Sequence, residues 1–251
     1  MKISLITVLI LFLLMFSLSV AQKIVVKIEE VLSIETFNFQ YDSLVDKGIF
    51  KVSFGVYNTG SVGYKARARL DVFNGSKLIF TGWSEEKSFT PSARKTFTLY
   101  WPPSKRGKFN AEIRIYYANE IKTVKKIKFE VKNVTLPSDV FEIKNLKTFS
   151  DEIRFDLISK ESLKDVLIIP SDYPLGWIFE QKKIDDLMEN EEKEVSIKYE
   201  PSLWKSTTLT LNIITSDGEY FTRKSFKLER VSPLEEFFHQ LFKLFRELFY
   251  P

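Results

Sequence analysis

Between Phe50 and Val131 the chain alternates apolar and polar residues with a period of two, in short runs broken by turn residues. Phe50, Val52, Phe54 and Val56 lead to Asn58-Thr59-Gly60; Tyr64, Ala66, Ala68, Leu70 and Val72 lead to Asn74-Gly75. Further runs carry Leu78 and Phe80, then Phe97, Leu99 and Trp101, then Phe109 to Tyr117, then Ile127 to Val131. Successive side chains of a strand point to opposite faces, so each run buries one face and wets the other. About seven such strands in roughly 110 residues, with no helical stretch between them, predict an antiparallel sandwich and argue against a βαβ sheet.

Leu136-Pro137-Ser138 reads as a short linker. Strand signals resume at Phe141–Ile143, Ile153–Ile158, Asp165–Ile169, Glu194–Tyr199, Leu209–Ile214 and Tyr220–Leu228, with Asp217-Gly218 as a hairpin turn between the last two. The expected fold class is therefore all-β: two tandem antiparallel sandwiches, residues 22–136 and 137–231. A hydrophobic leader (1–21) precedes them and an amphipathic helix (232–251) follows.

Lys2, the apolar stretch Ile3–Phe16, and small residues at Ser19 and Ala21 have the form of a secretory signal cleaved after Ala21. The stretch is also nearly long enough to serve as an uncleaved anchor. On either reading the remainder is extracytoplasmic, secreted or membrane-associated. The sequons at Asn74 and Asn133 suit that location. With no cysteine in 251 residues, disulfides, zinc ribbons and thiol chemistry are excluded. The Lys- and Glu-rich charge set, poor in Gln, suits a thermophile, with an archaeal source as the expectation.

Several patterns resemble known families. Val52–Gly60, Trp101-Pro102-Pro103 and Gly107–Glu120 are similar to the cell-adhesion-related immunoglobulin-like domain of bacterial and archaeal cell-surface proteins. Arg154–Leu228 resembles the immunoglobulin-like domain associated with carbohydrate-binding modules. Its marks are Leu163–Val166, Gly176-Trp177, Lys193–Tyr199 followed by Pro201, and the final hairpin. Ser159-Lys160-Glu161-Ser162 replaces that family's usual Asn-Thr-Gly-like turn. The resemblance implies immunoglobulin-like sandwiches and says little of ligands. In such domains Trp177 packs in the core or at an edge, with sugar stacking as the other role.

The net charge of +4 divides unevenly: residues 22–136 carry +9 and residues 137–231 carry −5. If the strands bearing Tyr64–Val72, Phe109–Tyr117 and Ile127–Val131 share a sheet, their outer faces combine Lys65, Arg67, Arg69, Lys108, Arg114, Lys126, Lys128 and Lys132. Such a basic face is either an ordinary solvated surface or a site for an anionic glycan, a lipid headgroup or an acidic protein. Nucleic acid is not expected, because the stacking aromatics of an RNA-binding sheet are missing.

His239 is the only histidine, which removes a Ser-His-Asp triad and histidine metal sites. Nucleophile-elbow, P-loop and dinucleotide-binding glycine motifs are absent. The acidic run from Asp185 to Glu194 lacks the regular oxygen spacing and the glycine of a calcium loop and reads as a solvated turn. Neither enzyme activity nor a cofactor is expected.

In the tail, Ser232, Pro233 and Glu235 supply an N-cap, a first-turn proline and a capping box. At 100° per residue, Leu234, Phe237, Phe238, Leu241, Phe242, Leu244, Phe245, Leu248 and Phe249 fall within an arc of about 160°. This apolar face has three readings: packing on its own sandwich, lying in a membrane interface, or docking a protein partner. The expected function is a non-catalytic surface or envelope protein presenting two sandwiches near a membrane. A carbohydrate-binding or accessory module is the alternative.

Overall fold

The computed structural model describes residues 31–201, 207–229 and 231–249, with side chains described as far as residue 245. The leader lies outside the described residues. Residues 32–251 cluster as one compact unit. Its strands fall into four sheets.

The first half supplies nine strands. β1 (Ile34–Tyr41), β3 (Phe50–Asn58) and β7 (Arg94–Trp101) form a three-stranded sheet in the order β1-β3-β7. The facing sheet has the order β2-β9-β8-β4-β5, from β2 (Leu44–Val45), β9 (Glu120–Val131), β8 (Gly107–Tyr117), β4 (Tyr64–Asn74) and β5 (Lys77–Trp83); β6 (Lys87–Phe89) also pairs with β4. The chain changes sheets between β1 and β2, where β2 runs parallel to β9, while β8 on the other side of β9 is antiparallel to it. This strand order, with the first strand shared between two sheets, is that of an immunoglobulin-like sandwich.

The second half repeats the plan. β10 (Phe141–Thr148), β11 (Glu152–Ser159), β15 (Glu192–Glu200) and β13 (Ile178–Phe179) form one sheet. β14 (Lys182–Leu187), β12 (Leu163–Ser171), β16 (Thr207–Thr215) and β17 (Phe221–Leu228) form the other. One correction falls here. Lys182–Leu187 is a strand on β12, not a turn, because Ile184 and Leu187 are drawn into the core; the turn is confined to Met188–Glu191.

Alternation gives each sandwich its core. In the first, Phe50 stacks on Phe129 with ring centroids 4.0 Å apart, and Trp101 meets both Phe109 and Phe129 edge-on. Aromatic pairs of this kind contribute about 0.5–1.5 kcal/mol beyond area burial. In the second, the near-parallel rings of Trp177, Phe179 and Tyr199 pack in one mutual cluster, with Phe179 and Tyr199 4.9 Å apart. Asn58 sits fully buried at the expected turn. Its amide donates to Val62 O and Thr90 O while its Oδ1 accepts from Gly60 N, so the side chain replaces backbone partners that a turn leaves open. Between β8 and β9, Ala118 and Asn119 both have positive φ, the conformation of a two-residue hairpin loop.

The halves meet in a packed joint. Leu167, Ile169, Ile214 and Phe221 of the second half belong to the apolar cluster of the first. Thr135 Oγ1 donates to Gly218 O, Tyr173 Oη to Thr81 O, and Gln181 N to Trp83 O. The Gln181 side-chain amide accepts from Tyr100 N and donates to Tyr100 O. Gly218 is required at its position: φ is +76° and a Cβ would fall 1.5 Å from Lys47 O.

The final element is α1 (Pro233–Phe249). The capping box forms as the sequence predicts. Ser232 Oγ accepts from Glu235 N, and Glu235 Oε2 accepts from Ser232 N. Just before it, Val231 N donates to Thr148 O and fixes the start of the helix against β10. Among the described residues no helix is long and apolar enough to cross a membrane.

Candidate functional site: a helix docked by its polar face

A surface helix ordinarily turns its apolar stripe inward. α1 does the reverse. His239 is its one buried described side chain, only 6% exposed. Its ring stacks on Phe149 at 4.2 Å, its Nε2 lies 3.2 Å from Asp151 Oδ1, and its Nδ1 lies 3.2 Å from Arg154 Nη2. A guanidinium only donates, so Nδ1 accepts and Nε2 carries the proton donated to Asp151. Glu152 Oε1, 3.6 Å from Nδ1, is engaged by Arg154, and its other oxygen accepts from Ser196 Oγ.

One turn on either side repeats the pattern. Glu236 accepts from both Ser150 N and Ser150 Oγ, and Gln240 donates to Ser150 Oγ. Lys243 pairs with Asp151, and Lys147 reaches Glu235 at 3.3 Å. The receptor is thus the turn from Phe149 to Asp151 together with the adjoining face of β11. Burial works to raise the Asp151 carboxyl, but hydrogen bonds from Lys243 and His239 outweigh it and hold the group below the ordinary carboxylate range.

Glu236, His239 and Lys243 lie about 140–200° around the helix from Leu234, opposite the apolar arc. Most of the described part of that arc is exposed. Phe242 is 69% exposed, Phe237 60% and Leu244 54%; Phe238 and Phe245 are also exposed. Leu241 is half-buried. The side chains of Leu248 and Phe249 lie outside the described residues. Phe238 and Phe242 also wall a groove between α1 and the sheet, opposite Arg154, Ser196 and Lys198. Polar residues spaced at i, i+3 and i+7 were visible in the sequence, but amphipathicity alone left open which way the helix faces.

The basic face needs correction. β4, β8 and β9 do share a sheet, yet Arg67 is 8% exposed and bonds to Glu86 at 2.9 Å and Glu200 at 2.8 Å. Arg69 and Arg114, which face each other across β4 and β8, both bond to Asp71. Arg114 also engages Glu112, and Arg69 lies over the Trp83 ring. Buried Asp71 and half-buried Glu112 neutralise the arginines, and hydrogen bonds and charge attraction from Glu200 and Glu86 raise Arg67 above its ordinary value although burial opposes them. Lys65 pairs with Glu86, and exposed Lys126 lies 3.9 Å from Glu112. Lys108, Lys128 and Lys132 are exposed along the same strands. The acids were legible: Asp71 shares the parity of Arg69, and Glu112 that of Arg114.

Trp83 and Trp177 are both core residues, 5% and 3% exposed, so neither offers a flat face to a sugar ring. Asn74, in the β4–β5 turn, and Asn133, after β9, are exposed. Among the described residues no group of His, Asp and Glu could hold a metal ion.

No family model matches the chain, and no curated protein matches it. Solved structures do. A CARDB domain from Pyrococcus furiosus, solved in complex with di-metal ions, is 15% identical over 41% of this chain and 96% of its own, with a TM-score of 0.31. A Listeria innocua β-glucosidase in complex with glucose is 12% identical over 43% of this chain and 17% of its own, with a TM-score of 0.33. Red sea bream transglutaminase is 7% identical over 82% of this chain and 32% of its own, with a TM-score of 0.29. Similarity at this level assigns neither a family nor an activity.

Proposed function

We propose that this protein is a non-catalytic component of a cell surface or envelope, in which two immunoglobulin-like sandwiches carry an outward-facing apolar helix to a membrane or a protein partner. The observation behind this reading is the inverted docking of α1. Glu236, His239 and Lys243 are engaged by Phe149–Asp151 and β11, while Phe237, Phe238 and Phe242 are exposed. Both cores close without those phenylalanines, so they are surplus to the fold. A solvent-exposed apolar patch of that extent is characteristic of an interaction surface. The apolar leader supports export and an extracytoplasmic location.

The test is removal of residues 232–251 in cells carrying the protein. The truncated chain should leave the envelope fraction while retaining the melting behaviour of the sandwiches. Sedimentation with the envelope exactly as in the intact chain would sink the reading.

A further inference from the structure

We propose that the occupant of the outward face of α1 is a lipid bilayer interface, bound through its apolar residues and independently of anionic lipid. This rests on the reading of α1 as an interaction element and names its partner.

Two observations favour lipid. The first is the width of the face. Another helix covers the narrow seam of a coiled coil, whereas the apolar arc of α1 spans about 160°, close to the half-cylinder that a planar medium covers. The second is the orientation. Because the docking contacts of Glu236, His239 and Lys243 lie opposite the arc, the sandwiches sit behind the helix and leave it free to lie flat along a membrane, about 25 Å long.

The charges of the helix determine which lipid. Interfacial helices that select anionic membranes carry free lysines and arginines on their polar face. Here Lys243 is committed to Asp151, while Glu235 and Glu236 are bound to Lys147 and Ser150 on the same side. Among the described side chains of α1 the one lysine is thus engaged inside the protein, and apolar burial is the driving force.

The chain has no cysteine, so one introduced thiol gives a unique label. Full-length Phe245→Cys, labelled with an environment-sensitive fluorophore, is titrated with phosphatidylcholine vesicles; Lys227→Cys on β17 is the control. The expected result is a several-fold rise and blue shift at position 245, unchanged in about 1 M salt, where charges are screened beyond about 3 Å, with no change at 227. No response at 245 overturns the proposal. So does a response that requires phosphatidylglycerol and vanishes in salt, or a blue-shifted signal without vesicles that grows with protein concentration, which would identify a second copy as the occupant. If deletion of the tail releases the protein from the envelope but position 245 ignores lipid, the interaction role stands and the lipid assignment falls.

Discussion

Replacing His239 with Ala tests the docking of α1 directly. The ring stacks on Phe149 and contacts Asp151 and Arg154. The aromatic contact is worth about 1 kcal/mol, the two hydrogen bonds about 1 kcal/mol each, and burial of the ring carbons about 1 kcal/mol. The loss is then about 3–4 kcal/mol. α1 has 17 residues, little beyond the roughly 12–15 at which isolated helices are marginal in water. At 1.4 kcal/mol per factor of ten, opening of the helix should become about 100- to 1000-fold more frequent. Hydrogen exchange read by mass spectrometry separates the helix from the sheets. Amides between Glu236 and Phe245 should exchange faster by that factor, while β11, β15 and β16 keep their protection, because local opening need not involve the cores. Unchanged exchange in α1 would refute docking through the polar face. Equal loss of protection in β11 and β15 would refute the separation of the helix from the cooperative core.

Two further outcomes follow from the same geometry. Asp151 is held below the ordinary carboxylate range, so its contribution to docking is present above the unfolded pKa of about 3.9 and is lost as pH falls through its lower folded value; amides of α1 should therefore lose protection relative to those of β11 below about pH 4, and should keep it if Asp151 has no such role. Gly218→Ala, forced into positive φ against Lys47 O, should cost about 2 kcal/mol or more by denaturant midpoint, and a neutral result would contradict the close approach at the joint.

The strands were largely legible because a half-buried strand must alternate. Ala66, Ala68, Leu70 and Val72 on β4 are all buried as their spacing predicts. β14 escaped because its inward residues, Ile184 and Leu187, stand three apart among charges, which breaks the period of two. The capping box named the start of α1 to the residue, since it depends only on local backbone groups. Its orientation depended on a receptor 85 or more residues away in sequence, at Asp151 and Arg154. The basic face failed for the same reason in part: parity could supply Asp71 and Glu112, but no local pattern announces that Glu200 closes on Arg67.

Glu180 and Gln181 carry a consequence for aggregation. β7 and β5 are outer strands of the two sheets in the first sandwich, and outer strands expose backbone groups that recruit other chains. Trp83, at the end of β5, is bridged to Glu180 and accepts from Gln181 N; Tyr100, near the end of β7, has both backbone groups taken by the Gln181 side chain. Two adjacent residues of the second half therefore blunt both rims of the first at one place. Until Glu180 and Gln181 are in place, those rims stand open to pairing with neighbouring chains.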